Sequence, residues 1–391
     1  MKFILVLIAA ILISFAWLLP IHYRPWVTYT GELFAFLSLF ALAAIYLKDK
    51  TKLPVLSLPL LVLATIPLIQ YLGGELFLFD KALTSTLFVF GFWMSIVIGY
   101  NLSVEKIDRE DIFTGLSYVF LMTGTATGVI AICQWTNLVA YLPGMVNIQG
   151  NRRPFANFAQ PNNMATFLLM SLMACLYLYE KKKIQTKWVV ACALPIVIGV
   201  ALSQSRTSWV ACLCILAYLA YHQYRGFIRL KWYWSVTWFI LFVGLIVTSP
   251  VLSHLLAQAT DAQIVQSRDV VQRATGDMSR LAIWEQMLHA ILDRPWWGYG
   301  WNQTSVAYTL VSDHFQGPVW IRSAHNFILD FVLWNGLLIG IPFLAYFGYW
   351  GYQLNKQVNS VESVIGILML GVVLVLGKLL IHVKSTGLAA L

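Results

Sequence analysis

The sequence has 391 residues, of which 59% are hydrophobic and 11% charged, with a mean hydropathy of +0.73. Soluble domains carry about a quarter charged residues, so this composition excludes an ordinary water-soluble protein and predicts an integral membrane protein. We interpret the formal net charge of +9 as a signal of membrane topology, because lysine and arginine collect in short loops, and we predict no nucleic-acid partner.

Apolar segments long enough to cross a bilayer recur along the chain. The first follows Met1 and Lys2 directly, and because no small-residue cleavage site precedes the next segment, we expect a retained helix and not a cleaved signal peptide. A span needs about 20 mostly apolar residues. On this criterion the sequence predicts an all-α polytopic transmembrane bundle of about 11 spans, at residues 3–21, 27–47, 54–72, 83–100, 112–136, 161–179, 188–202, 208–222, 232–250, 326–353 and 363–381.

The basic loops predict the orientation of these spans. Lysine and arginine concentrate at 48–52, 180–187 and 225–231, on alternate loops. Because such loops face the cytoplasm, we expect the N-terminus there. The outer segments are then 73–82, 137–160, 203–207 and 251–325. This divides the chain into a transmembrane region of about nine spans (1–250), one long outer loop with helical structure (251–325), and a C-terminal transmembrane region (326–391).

Acidic residues and cysteines do not indicate a metal centre. The acidic cluster Glu105–Asp111 is predicted to be a solvated cytoplasmic helix connection, with a metal site as the less favoured alternative. All five cysteines lie in apolar segments, so neither a disulfide framework nor a zinc site is expected. No outer motif rich in carboxylates requires a divalent cation. We therefore predict no metal and no other cofactor.

The outer loop 147–163, NIQGNRRPFANFAQPNN, precedes a predicted helix. Pro161 suits the first turn of a helix, so Gln160 is the expected N-cap residue, and Asn162 lies in the first turn. The positive end of a helix dipole attracts phosphate, so this end is a candidate binding site. The alternative is that Gln160 only caps the helix.

Three outer arginines, namely Arg206, Arg280 and one of Arg152 or Arg153, are expected to meet a substrate at the membrane edge. Arg152 and Arg153 lie in the loop 147–163, and Arg206 lies in the short connection SQSRTS. An arginine there is costly unless it faces a polar cavity or a partner, and a planar guanidinium binds two phosphate oxygens at once. The alternative for Arg152 and Arg153 is that they are snorkelling interface residues, and for Arg206 it is a contact with a headgroup phosphate.

The long outer loop contains a predicted amphipathic helix at 277–292, which Asp277 can cap and which Asp293-Arg294-Pro295 closes. Arg280 shares the apolar face with Trp284, Met287 and Ile291. An unpaired charge on a buried face is costly, so Arg280 is expected to pair or to bind an anion.

Aromatic residues and glycines follow this helix in the run WWGYGW, residues 296–301. An interfacial aromatic belt is the favoured interpretation for most of these rings. Stacking on a sugar face is the alternative, with Trp297 as the candidate.

His325 stands where the outer loop meets the next span, between Arg322 and Asp330. A neutral histidine can accept a proton from a hydroxyl near pH 7, although a capping or interfacial histidine is the commoner case. With Arg24 in the connection between the first two spans included, the outer loops hold nine arginines and essentially one lysine, Lys81, which favours recognition of phosphate. Together these groups fit transfer from a lipid diphosphate to a hydroxyl, with arginine stabilising the departing diphosphate.

The order of these motifs resembles a known family. SQSRTSW, then a long outer loop with R-L-x-x-W and RPWWGYGW, then SAHNFILD at the start of a helix, looks like the bacterial O-antigen ligase and polymerase superfamily. Within it, RRPFANFAQPNNMAT is similar to the motif of the protein O-oligosaccharyltransferases, the pilin glycosylation ligases. The resemblance covers residues 145–345 and includes a polytopic α-helical fold with a helical periplasmic loop.

The resemblance implies transfer of a preassembled oligosaccharide from undecaprenyl diphosphate to serine or threonine of a periplasmic protein such as pilin. The reaction would occur at the periplasmic face of the bacterial inner membrane. By position, Arg206 and Arg280 would contact the diphosphate, His325 would be the essential histidine, and Gln160 would belong to the acceptor or donor site. The implied partners are a lipid-diphosphate-linked oligosaccharide, an acceptor protein and membrane lipid.

The C-terminus departs from the family pattern, which implies a further outer segment and another helix after His382. The sequence instead ends at Leu391, with Lys378 and Lys384 on the side expected to lack positive charge. A truncated or frame-shifted, inactive product is one interpretation.

Three alternative functions stay open at this point. Ligation to lipid A core and polymerisation of the glycan share the donor and differ in the acceptor. A transporter of an anionic lipid or solute would need charged residues in several spans, or broken helices in two repeated halves. The spans contain little beyond Asp330, and no internal repeat is found.

Overall fold

The computed structural model describes residues 2–21, 28–46, 51–103, 106–142, 144–146, 153–260, 279–315, 321 and 323–376. Within these ranges it describes the backbone but not the side chains of residues 106–108, 140, 256–260, 279–280 and 374–376. The predicted all-α fold is confirmed, because the described part of the chain consists of helices and connections without a strand.

Thirteen α-helices are described, in the order α1 (Lys2–Leu18), α2 (Tyr29–Ala43), α3 (Leu58–Leu72), α4 (Phe79–Leu102), α5 (Lys106–Trp135), α6 (Pro161–Glu180), α7 (Thr186–Leu202), α8 (Arg206–Tyr224), α9 (Trp232–Thr260), α10 (Ser279–Asp293), α11 (Thr304–Val311), α12 (Phe327–Lys356) and α13 (Val361–Leu376). Each predicted apolar segment coincides with one of them, and α10 and α11 lie in the predicted outer loop. Among the described residues, seven helical segments are long and apolar enough to cross a membrane, and three further apolar helices are shorter. The number of crossings, about 11, stays a prediction.

Helix α9 differs from its predicted end. The span was predicted at 232–250, whereas the helix continues through Pro250 to Thr260. Proline is tolerated inside long membrane helices because neighbouring groups satisfy the freed backbone carbonyl.

The described chain forms two compact units. Unit 1 comprises Met1–Ile45, Glu105–Gly276 and Val358–Leu391, and unit 2 comprises Tyr46–Val104 and Asp277–Gln357. In unit 1, α6 is the central helix, with Met164, Leu168, Tyr177 and Leu178 fully buried. Helices α5 and α7 approach closely, since a Cβ added at Gly128 would lie 2.5 Å from the Pro195 carbonyl oxygen. Small residues permit such backbone contact between membrane helices.

Polar contacts join the helix ends of unit 1 on the side predicted to be cytoplasmic. The Lys181 ammonium lies 2.5 Å from Glu362 and 3.6 Å from Glu110, a member of the predicted acidic cluster. The buried Glu180 carboxylate accepts hydrogen bonds from the backbone N–H groups of Arg229 (2.8 Å) and Leu230 (2.7 Å). These bonds hold the basic loop between α8 and α9 against the end of α6.

In unit 2, α3 and α4 form a hairpin, and α12 is broken at Gly336, which has φ 66° and ψ 178°. The segment between α10 and α11 fills this break. Tyr299 and Gly300 donate to the carbonyls of Leu333 (2.9 Å) and Trp334 (3.0 Å), and Leu337 donates to the carbonyl of Pro295 (2.6 Å). The backbone groups freed by the break are thus satisfied by protein, as a membrane setting requires.

Candidate functional site

The predicted site residues divide between the two units. Arg153, Gln160, Asn162 and Arg206 lie in unit 1, and Arg280, Trp297 and His325 lie in unit 2. Arg152 and Arg322 fall outside the described residues, and for Arg280 only the backbone is described. The two groups are therefore described separately.

In unit 1, a buried glutamine holds the loop that precedes α6. The Gln134 side chain is 1% exposed. Its Oε1 accepts from the backbone N–H groups of Phe155 (3.1 Å) and Ala156 (2.7 Å), and its Nε2 donates to the Ala156 carbonyl (2.9 Å). The Asn157 amide donates to the Leu18 carbonyl (2.6 Å). The loop is therefore fixed by side chains from α5 and by the end of α1.

Gln160 occupies the N-cap position of α6, as predicted, but its side chain does not make the expected capping hydrogen bond. Its backbone carbonyl accepts from Asn163 (3.1 Å) and Met164 (3.2 Å), whereas its side chain makes no capping hydrogen bond. Just before it, Ala159 has φ 57°, and the Gln160 N–H donates to the Phe158 carbonyl at 2.6 Å. A left-handed alanine costs free energy, which the fixed loop compensates.

Arg153 connects this loop to the start of α8. Its Nη1 donates to the carbonyls of Ser203 (3.0 Å) and Gln204 (3.3 Å), which follow the end of α7. Arg206 is the first residue of α8 and is half-buried, directly after the N-cap residue Ser205. The N-termini of α6 and α8 thus share one end of unit 1, and both present the positive end of a helix dipole there.

Two buried polar atoms near Arg206 were not anticipated. Ser208 Oγ and Trp209 Nε1 lie in the first turn of α8 and have no hydrogen-bond partner within the described residues. Both residues belong to the motif SQSRTSW, so this motif is the sequence feature that could have pointed to them. Buried polar groups normally have partners, and an exception calls for a functional explanation.

In unit 2, His325 lies on a tight turn just before α12. Its φ is 56°, its side chain is exposed, and its backbone N–H donates to Ser323 Oγ (3.0 Å). The N-cap of α12 is Asn326, whose side chain accepts from Ile328 N–H (3.1 Å). Because Asn326 supplies the cap, capping this helix is not the role of His325.

A buried carboxylate holds the turn that carries His325. Asp330 is 4% exposed. Its Oδ2 accepts from Ser323 Oγ (2.8 Å), and its Oδ1 accepts from the Ala324 N–H (2.9 Å) and from Thr304 Oγ1 (2.8 Å). Hydrogen bonds to a charged group stabilise by about 1.5–3 kcal/mol each, so Asp330 is the principal anchor of this turn. Thr304 and Ser323 were missed by the sequence reasoning, because nothing local marks either residue.

Helix α10 packs beside the same turn. Trp284 Nε1 donates to the Ala324 carbonyl at 2.9 Å. The structure confirms the predicted helix, as Ser279–Asp293, while Asp277 lies outside the described residues. Met287 and Ile291 face the interior of unit 2, as expected. Since Arg280 is one turn before Trp284, its backbone is placed on the helix that contacts the His325 turn.

The aromatic run after α10 has two kinds of environment. Trp296 and Trp297 are exposed, in agreement with an interfacial belt. The belt interpretation is wrong for Tyr299 and Trp301, which are 2% and 7% exposed and belong to the unit 2 core. Burial, together with a hydrogen bond to Asp293, raises the pKa of Tyr299 well above its usual range. Its hydroxyl therefore stays a neutral donor.

Two family models match parts of this chain, and two curated proteins are similar to it. Residues 190–344 match the O-antigen ligase family, and residues 154–179 match the protein glycosylation ligase family. A general O-oligosaccharyltransferase of Acinetobacter baylyi is 41% identical over 373 residues, covering 95% of this chain and 66% of that protein. A ComP-specific O-oligosaccharyltransferase of the same organism is 29% identical over 277 residues, covering 70% of this chain and 48% of that protein. The chain thus spans less than two thirds of either relative.

These matches and the helical fold define a multi-pass membrane protein whose residues 190–344 match the O-antigen ligase family. It also carries the protein glycosylation ligase segment, which includes the loop 154–160 and the start of α6. It is similar to the O-oligosaccharyltransferases of Acinetobacter baylyi.

Proposed function

We propose that this protein is an O-oligosaccharyltransferase that moves a preassembled glycan from undecaprenyl diphosphate to a serine or threonine of a protein such as pilin. The observation that carries the proposal is the turn at His325, which is exposed, is not needed to cap α12, and is held by the buried Asp330. Similarity to two O-oligosaccharyltransferases and to the protein glycosylation ligase segment supports a protein acceptor.

In the proposed reaction the acceptor hydroxyl oxygen attacks the anomeric carbon of the glycan. The hydroxyl proton passes to a ring nitrogen of His325, which acts as general base. The bond between the anomeric carbon and the diphosphate oxygen breaks, and its electron pair stays on the diphosphate. Arginine stabilises this developing charge with paired hydrogen bonds, a role proposed for Arg206 and for Arg280.

The remaining predicted residues keep proposed roles in substrate binding. At the end of unit 1 where α6 and α8 begin, the helix dipoles favour an anionic group. The Gln160 side chain, free of a capping duty, is available to a substrate there. The residues proposed to bind donor or acceptor are Gln160, Asn162, Arg152, Arg153, Arg322 and Trp297.

We place the reaction at the periplasmic face of the bacterial inner membrane. Within unit 1, the basic loops at 180–187 and 225–231 lie at the opposite ends of α6, α7 and α8 from Gln160 and Arg206. Basic loops face the cytoplasm, so the ends with Gln160 and Arg206 face the periplasm.

Transport is a weaker candidate. Transporters often use broken helices whose freed backbone groups bind substrate or ions. In α12 the groups around Gly336 are instead bonded to residues 295–300, which leaves fewer of them for a ligand. The break therefore favours a rigid scaffold over a transport pathway.

The decisive experiment is the intact mass of a pilin co-expressed with this protein and a lipid-linked glycan. We expect a glycan-sized increment with the wild-type chain and none with His325→Asn. Asparagine tolerates the left-handed φ of 56° at this position and cannot accept the proton. His314→Asn, a change at another exposed histidine of the same loop, is the matched control and should transfer normally.

Two results would count against the proposal. An unmodified pilin together with glycan on lipid A core would identify the O-antigen ligase activity instead. Substantial pilin glycosylation by His325→Asn would exclude proton transfer by this residue.

A further inference from the structure

We propose that helix α10 lies in the lipid–water interface, with a stripe of three leucines in contact with the acyl chains of the membrane. This stripe consists of Leu281, Leu288 and Leu292, which are 55%, 52% and 74% exposed. Their spacing of seven and four residues places them on one line along the helix. The opposite face, with Met287 and Ala290 fully buried, packs into unit 2. Helix α10 therefore has two apolar faces, of which protein covers one and the leucine stripe is left exposed.

The C-terminal end of α10 lies at the level where two predicted spans end. Arg294, directly after the helix, has its Nη1 3.8 Å from the Glu75 carboxylate. The Gln303 amide donates to the Glu75 backbone carbonyl. Glu75 stands in the short connection between Leu72, the last residue of α3, and Phe79, the first of α4, and both helices are long and apolar enough to cross a membrane. The boundary of the bilayer therefore passes close to Arg294.

Exposed apolar side chains flank both partners of this contact in the sequence. Trp296 and Trp297 are 59% and 63% exposed, and tryptophan is enriched at membrane–water interfaces. The α3–α4 connection adds exposed apolar side chains at its two ends: Leu72, Phe77, Leu78 and Phe79. Leu292, two residues before Arg294, is thus accompanied by other exposed apolar residues and is not isolated.

The polar residues of α10 fit an interfacial helix. Glu285 and His289 are exposed and lie about 40° and 80° around the helix from the leucine line, on one flank of it. An interfacial helix directs such residues to the headgroups and its apolar stripe into the acyl chains. Exposure of a patch this apolar to water is unusual in a folded protein, so the proximity to the span ends identifies lipid as the partner.

The test measures the environment of each position in the membrane. Single cysteines are introduced at Leu281, Leu288 and Leu292 in the full chain, with its five cysteines replaced, and spin-labelled in phosphatidylethanolamine–phosphatidylglycerol nanodiscs. Collision rates with molecular oxygen, which concentrates in lipid, are compared with those of a water-soluble nickel chelate. We expect oxygen to exceed nickel by several-fold at all three positions.

Matched positions control for the fold. His289→Cys, on the flank of the same helix, and Asp313→Cys, exposed beyond α11, should show the reverse preference for nickel. Met287→Cys, at a fully buried position, should be immobile and protected from both reagents. Preference for nickel at Leu288 and Leu292 would place the stripe in water and overturn the proposal. Labels at these leucines that are immobile and protected from both oxygen and nickel would show contact with a protein partner. This outcome would also overturn the proposal.

Discussion

At the scale of single residues, the candidate catalytic residue His325 is positioned by Asp330 through an intervening side chain. His325 is positioned by its backbone N–H on Ser323 Oγ, and Ser323 is held in turn by Asp330. Thr304 connects the same carboxylate to Trp334, whose Nε1 donates to Thr304 Oγ1 at 2.8 Å. The exposed histidine therefore depends on a buried network of polar groups, and such networks lose more than one bond when one member is removed.

We predict that Asp330→Ala lowers both the amount of folded protein and glycan transfer. The change leaves the Thr304 and Ser323 hydroxyls and the Ala324 N–H without their acceptor, at a cost of about 1–3 kcal/mol for each unpaired group. Asp330→Asn keeps one acceptor oxygen and should retain more protein while transferring less than wild type per molecule. The measurement is pilin glycosylation normalised to membrane abundance, and Asp313→Asn, on the surface, is the control. Normal transfer by Asp330→Asn would show that the carboxylate charge is not needed.

Arg280 is predicted to act through geometry as well as charge. Arg280→Lys retains the positive charge but loses the paired donors that bind a diphosphate. We expect a strong fall in glycosylation with unchanged membrane abundance, measured by the same normalised assay. Arg294→Lys, at the far end of α10, should have little effect, since its guanidinium meets Glu75 at 3.8 Å in an exposed pair. If Arg280→Lys and Arg294→Lys were equally active, Arg280 would act only through its positive charge.

At the scale of elements, the segment 295–300 and the break in α12 form one structure. Gly336 has φ 66°, and a Cβ there would overlap the Trp296 backbone, while a Cβ at Gly298 would lie 2.5 Å from the Leu333 carbonyl oxygen. Both glycines are required by the close approach of two backbones and by positive φ angles.

We predict that Gly336→Ala and Gly298→Ala each destabilise the protein strongly. The left-handed backbone alone costs about 1–3 kcal/mol, and the overlap with backbone atoms adds to it. Thermal unfolding of the detergent-purified protein should shift downward for both variants. Gly351→Ala, in the same helix with open space around its Cβ, should match wild type or exceed it. An unchanged midpoint for Gly336→Ala would contradict the tight packing of segment 295–300.

At the scale of the whole molecule, the main prediction is topology. Reporter fusions after Lys183 and after Gly276 should give cytoplasmic and periplasmic signals respectively, because the basic loops stay in the cytoplasm. A fusion in the α3–α4 connection, after Gly74, should be periplasmic as well. The opposite pattern would overturn the periplasmic location of every residue proposed for the reaction.

The sequence by itself determined the helices and the order of the motifs. An apolar run of about 20 residues in lipid must satisfy its own backbone hydrogen bonds, and only a helix does so within one segment. For this reason α6 was predicted at 161–179 and is Pro161–Glu180. The outer helix was predicted at 277–292 from its amphipathic periodicity and its end signals, and it is Ser279–Asp293.

Only the tertiary structure decided which polar groups satisfy one another. Gln70 donates to the Trp334 carbonyl across 264 positions, and Gln134 holds a loop 22 residues away. Nothing local to Thr304 or Ser323 indicates that Asp330 lies beside them. The break at Gly336 could not be predicted from the sequence either, because a glycine inside an apolar run is compatible with an intact helix. The structure shows that another backbone segment, 295–300, supplies the hydrogen bonds that α12 gives up at the break.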